Sequence, residues 1–138
     1  MDSDCVFCKI SDGELPSMRV YEDDRTLVIM DINPVNSGHC LVIPKAHAQT
    51  LWDADLVDLQ AAIAAAQKVA IALKTMVKPD GLNMLQANGA AAFQSVAHYH
   101  LHLIPRWNND GKGFDWSLVP GDRGQIQAIG ERLREAIG

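Results

Sequence analysis

Positive charge is in deficit: 12 Lys and Arg stand against 17 Asp and Glu, for a formal net charge of -5. That excludes a broad basic surface able to track a polyanion, so no nucleic-acid partner is expected. A pocket that holds one phosphorylated small molecule with a few local donors is still allowed. Cysteine is scarce and odd in number, with 3 in 138 residues, which is no disulfide framework. Cys5 and Cys8 are spaced instead like a metal or thiol pair in a reducing compartment. No apolar run is expected to approach the roughly 20 residues of a membrane span. The opening Met1-Asp2-Ser3-Asp4-Cys5 lacks the basic-then-apolar pattern of a secretory signal. No membrane partner is expected, and the reading is cytoplasmic. Internal repeats, low-complexity tracts and linkers are also missing. A 48% hydrophobic and 21% charged chain of 138 residues reads as one globular domain spanning 1–138.

What is there is a set of short apolar runs and two helical patterns. Arg25-Thr26-Leu27-Val28-Ile29-Met30 follows the turn-like Asp23-Asp24 and reads as a strand. The loop formers from Asp31 to Gly38 separate it from a second strand, Cys40-Leu41-Val42-Ile43, stopped by Pro44. From Asp53 to Val77 the spacing of Leu56, Leu59, Ile63, Ala66, Ala70, Leu73 and Val77 predicts one helix, with Asp53 as its N-cap. Pro79-Asp80-Gly81 ends it. Leu82 to Gln86 predicts a third strand, and His98 to Ile104, closed by Pro105, a fourth. Ile126, Ile129, Leu133 and Ile137 predict a helix over 124–137. Strands with a single long helix and no regular βαβ alternation predict an α+β fold with a mainly antiparallel sheet.

The chemistry concentrates at His98, His100 and His102. Alternate residues of a strand leave the same face, so these three form one imidazole row, while Tyr99, Leu101 and Leu103 face the other way. An ordinary exposed strand face would use Thr, Lys, Glu or Ser in place of three histidines. Ser95 and Gln94 add hydroxyl and amide groups just before the row. Neutral imidazole is a competent nucleophile near pH 7. Attack on phosphorus would leave a covalent phosphoryl-imidazole that water or another acceptor resolves, with the flanking rings holding phosphate oxygens. Three histidines on alternate positions also suit one metal ion, and spacing leaves that alternative open.

His98-Tyr99-His100-Leu101-His102-Leu103-Ile104 resembles the signature of the histidine triad (HIT) superfamily, with histidines separated by apolar residues. Gln94-Ser95-Val96, Gly13-Glu14-Leu15-Pro16, Asp31-Ile32, Gly38-His39 and Leu41-Val42-Ile43-Pro44-Lys45-Ala46-His47 extend the likeness from Cys5 to Arg106. The resemblance implies a HIT-like fold that forms a homodimer, the long helix contributing to the interface. It implies a nucleotide substrate cleaved at the α-phosphorus by His100. His102 and Ser95 would contact the bridging atom and leaving group, Gln94 would lie near the phosphates, and the backbone carbonyl of His98 would orient His100. Asp31 would bind the ribose hydroxyls, and Phe7, Ile10, Ile32 and Leu41 would wall the base pocket, although core packing accounts for the apolar four equally well. Two positions depart from the family. Ala87 stands where many members have an amide residue, with Asn88 beside it as a substitute, and Phe93 stands where many have glycine. A large aromatic there is expected to narrow the leaving-group side or reshape its loop.

Cys5-Val6-Phe7-Cys8 has the spacing that lets two thiolates reach one zinc ion. In some bacterial members such a pair is completed by two histidines, and the matching residues here are His47 and His98. The resemblance therefore implies a structural zinc site of Cys5, Cys8, His47 and His98; a thiol redox pair is the rival reading. Cys40, inside a strand, reads as a small core residue, and His39 has no assigned role.

Three function classes result: a hydrolase or transferase acting on an adenosine phosphoramidate or dinucleoside polyphosphate, a catalytically weak nucleotide-binding or signalling module, and a metalloenzyme built on the triad.

Overall fold

The computed structural model describes residues 4–113 and 117–138; the single-domain reading of 1–138 includes six residues outside that range. The elements run α1 (Val6–Ser11), β1 (Arg19–Glu22), β2 (Thr26–Met30), β3 (Cys40–Pro44), α2 (Leu56–Met76), β4 (Gly81–Leu85), a 3-10 turn (Ala90–Ala92), β5 (Leu101–Arg106) and α3 (Arg123–Ile137). The strands form one sheet in the order β1-β2-β3-β5-β4, and every neighbouring pair is antiparallel. The α+β expectation holds.

Both faces of the central strands are covered, which explains why β2 and β3 read as continuous apolar runs. Val28, Cys40, Val42, Leu101 and Leu103 face α2 and meet its Ala62, Ala65, Ala66 and Leu73. Leu27, Ile29, Leu41 and Ile43 alternate with them and face α1, packing on Phe7, Cys8 and Ile10. Cys40 is buried, as read. Tyr99 joins the α2 side, so the predicted division of the triad strand into two faces is correct.

Several boundaries differ from the sequence reading. α2 starts at Leu56, not Asp53: the Asp53 carboxylate caps a preceding turn, accepting from the amides of Gln49 and Thr50. Its sheet-facing stripe is Ala62, Ala65, Ala66 and Leu73, while Ile63 and Leu56 are exposed. Alanine on nearly every side blurs the periodicity, and small residues let the helix approach the sheet. At 21 residues and mean hydropathy 1.5, α2 is also long and apolar enough to cross a membrane, contrary to the expectation that no run approaches that length. It carries Asp58, paired with Arg25 at 2.8 Å, and lays its alanine stripe on the sheet.

Both prolines lie inside strands. Pro44 pairs with Thr26, and β3 meets β5 only from Cys40 to Val42, so no ladder bond is lost on that side. Likewise β5 begins at Leu101 and continues through Pro105 to Arg106, leaving His98 to His100 as an irregular lead-in. The third strand is Gly81–Leu85, one residue earlier than predicted. Two elements carried no clear sequence pattern: α1, of six residues, and β1, of four.

Candidate active site and metal centre

Three segments converge on one cavity of about 720 Å3. α1 brings Phe7 and Ile10, the β2–β3 loop brings Asp31 and Ile32, and β3 brings Leu41. From the other side come Ser95, His100 and His102. Eight predicted site residues thus share one space, and His39, unassigned from sequence, lies in the same wall.

The backbone fixes the tautomer of His100. His100 Nδ1 lies 2.7 Å from the carbonyl oxygen of His98. A carbonyl only accepts, so Nδ1 carries the proton and Nε2 keeps its lone pair. The His98 carbonyl therefore orients His100 as the resemblance implied. Burial pushes the His100 pKa below its ordinary 6.5, against the opposing effects of that carbonyl and of Asp31, so the ring is neutral. Burial, reinforced by His100 and His39, brings His102 down to about 4. Phe7 packs edge-on against His100, ring centres 5.1 Å apart, joining the apolar wall to the triad.

His98 is turned away from the cavity. Its Nε2–H donates to the carbonyl of Pro44 at 2.7 Å, leaving the Nδ1 lone pair facing Cys5 Sγ at 3.3 Å, Cys8 Sγ at 3.6 Å and His47 Nδ1 at 3.2 Å. Cys8 Sγ lies 3.4 Å from His47 Nδ1. Tetrahedral zinc, with bonds of about 2.0–2.1 Å to nitrogen and about 2.3 Å to sulfur, sets its ligands roughly 3.3–3.8 Å apart. The distances just given span 3.2–3.6 Å, and all four donor atoms lie within 4.8 Å of one another, three of them on buried residues. The tautomer-fixing carbonyl is the outer partner that metal-binding histidines usually have. The residues therefore fit zinc, and His98 joins this Cys/His cluster to His100.

Three expectations need correction. Asn88 does not line the cavity: its Oδ1 accepts from the Leu51 amide at 2.7 Å, and its amide pairs with Gln86. Gln94 is also off the wall; its Nε2 donates to the carbonyls of Gln49 and Val96, and its Oε1 accepts from the Gly89 amide. It braces the loop that carries Ser95. Phe93 does not narrow the site, being 90% exposed. It occupies the left-handed region with φ 65, which explains why glycine suits this position.

The sequence reading also missed a clamp. Asp110 accepts from Arg106 Nε at 2.8 Å and from Asn36 Nδ2 at 2.9 Å, tying the β2–β3 loop to the end of β5. No periodicity marks such a contact, because its partners lie far apart in the chain.

The HIT domain family matches residues 12–109. The chain belongs to the HIT domain family. An uncharacterised HIT-like protein of Borreliella burgdorferi is 47% identical over 113 residues, 80% of this chain and 81% of that protein. The adenylylsulfatase HINT3 of Arabidopsis thaliana is 42% identical over 110 residues, 80% of this chain and 56% of HINT3. Among solved structures, a histidine triad nucleotide-binding protein from Candida albicans superposes with TM-score 0.87 at 33% identity, covering 97% of each chain. A zinc-bound histidine triad family protein from Mycobacterium smegmatis gives TM-score 0.76 at 38% identity, covering 96% of this chain and 97% of that one.

Proposed function

We propose that this HIT protein is a nucleotide hydrolase or transferase that cleaves an α-phosphate linkage of an adenosine nucleotide derivative through a covalent nucleotidyl-His100 intermediate. The observation that carries the reading is the Nδ1–H of His100 held on the His98 carbonyl at 2.7 Å, in a ring that lines the cavity. The Nε2 lone pair attacks the α-phosphorus, and the bond to the leaving group breaks with its electron pair. Water or another acceptor then attacks the same phosphorus, releasing the nucleotide and regenerating His100. His102 and Ser95 contact the bridging atom and leaving group, and Gln94 holds the loop between them and Gly89. Asp31 takes the ribose hydroxyls, and Phe7, Ile10, Ile32 and Leu41 wall the base.

Cys5, Cys8, His47 and His98 hold a structural zinc, which on binding neutralises the thiolates and fixes α1 beside the triad. The zinc-bound relative and the donor spacing support this. The family resemblance supports a homodimer and a cytoplasmic setting. Substrates to test are an adenosine phosphoramidate, dinucleoside polyphosphates and, from the adenylylsulfatase relative, adenylyl sulfate.

The experiment compares wild type with His100→Ala on adenosine phosphoramidate, diadenosine tri- and tetraphosphate and adenylyl sulfate, following AMP release and zinc content. We expect turnover in wild type, a loss of at least roughly 1,000-fold in the variant, and zinc retained in both. Binding of AMP with no turnover of any substrate by wild type would point to the binding module instead. Loss of zinc from the variant would point to the triad as a metal site.

A further inference from the structure

His39 sits immediately before β3, is 3% exposed, and lies in the wall of the cavity. The backbone amide of Val35 donates to its Nδ1 at 3.0 Å. An amide N–H can only donate, so Nδ1 bears the lone pair and the single proton of the neutral ring is on Nε2. That Nε2 lies 3.0 Å from His102 Nδ1 and 3.3 Å from Asp31 Oδ2. Both neighbours can accept. The other Asp31 oxygen is already taken by the Asn33 amide at 2.8 Å, which fixes the carboxylate in place.

We propose that His39 is a positioning residue that fixes the tautomer of His102, so that His102 presents an Nε2–H donor, and not a lone pair, toward the leaving group. The proposal rests on the reading in which His102 contacts the leaving group. With His39 Nε2–H donating to His102 Nδ1, the proton of neutral His102 is placed on Nε2. A leaving oxygen gains negative charge as its bond to phosphorus breaks, and a donor stabilises that charge where a lone pair would repel it. The triad therefore has opposite settings on neighbouring rings. The His98 carbonyl leaves His100 with a free Nε2 lone pair, and His39 leaves His102 with an Nε2 proton. The signals come from two backbone groups, the His98 carbonyl and the Val35 amide, which side-chain motion does not reverse.

The test uses two substitutions. His39→Leu removes both hydrogen bonds at similar volume; His39→Gln keeps one donor and one acceptor. In protein labelled with 15N-histidine at neutral pH, wild-type His102 should carry its proton on Nε2. His39→Leu should show a mixture of tautomers, with His39→Gln nearer wild type. On adenylate esters of phenols of graded acidity, His39→Leu should lower kcat on the order of 10–100-fold for the poorest leaving group. The loss should shrink toward none for the most acidic phenol, with KM little changed. Equal loss across all leaving groups, or a wild-type His102 protonated on Nδ1, overturns the proposal. So does a second equivalent of zinc that His39→Leu releases, since Asp31, His39 and His102 also converge closely enough to hold an ion. The 15N measurement on wild type needs neither turnover nor a folded variant. An inactive wild type would therefore defeat the enzymatic reading while leaving the tautomer assignment to be decided separately.

Discussion

At the scale of single residues, backbone groups set the side-chain chemistry. The His98 carbonyl decides which nitrogen of His100 keeps a lone pair, and the Pro44 carbonyl decides which nitrogen of His98 faces Cys5 and Cys8. Burial lowers the pKa of His39 and brings His102 to about 4. The unfolded chain takes up protons at these rings near their ordinary 6.5, while the folded chain resists until lower pH. Their contribution to stability is therefore complete above about pH 6.5 and lost as pH falls toward about 4. Denaturant titrations across that range should show falling stability, with a smaller slope in His102→Asn. Phe93 makes a separate prediction. Its φ of 65 is costly for a residue with a Cβ, and its ring is exposed. Phe93→Gly should stabilise by about 0.5–1 kcal/mol in a thermal or chemical melt.

The elements differ in how far their sequence announces them. The runs of β2 and β3 and the His-x-His-x-His row were legible because alternation and apolar burial are local properties. Helix α1 was not legible: six residues are too short to hold a helix by propensity. It persists because Phe7 and Ile10 pack on the sheet, Cys5 Sγ accepts from the Cys8 amide, and Arg19 donates to the carbonyls of Ile10 and Ser11. The cluster of Cys5, Cys8, His47 and His98 was legible through the family likeness and through Cys-x-x-Cys. The His39–His102 contact and the Asn36–Asp110 clamp were not, since both join distant segments. If zinc holds α1, Cys8→Ala should lose the metal and weaken AMP binding by roughly tenfold or more, measured by metal analysis and calorimetry. Gly38 makes a different demand on its loop. Its φ is +88, and a Cβ would meet Pro105 Cγ at 3.1 Å and Leu73 Cδ2 at 3.2 Å. Gly38→Ala should cost about 1–3 kcal/mol, read from the unfolding midpoint.

For the whole molecule, one stretch of open apolar surface runs along α2 and the edge strand β4. Ile63 and Ile71 of α2 and Leu82 and Met84 of the edge strand β4 are exposed. The proposed homodimer would cover this face. Wild type should then sediment at twice the chain mass, and Ile63→Glu should shift it to the monomer. A monomeric wild type would remove the dimer without touching the chemistry. That chemistry has a more direct test in the stereochemistry at phosphorus. An adenosine polyphosphate made chiral at the α-phosphorus with sulfur is hydrolysed in isotopically labelled water, and the configuration of the released thio-AMP is read. Attack by His100 followed by attack of water gives two inversions, so the account predicts net retention. Net inversion would mean a single displacement by water, and would contradict a nucleotidyl-His100 intermediate.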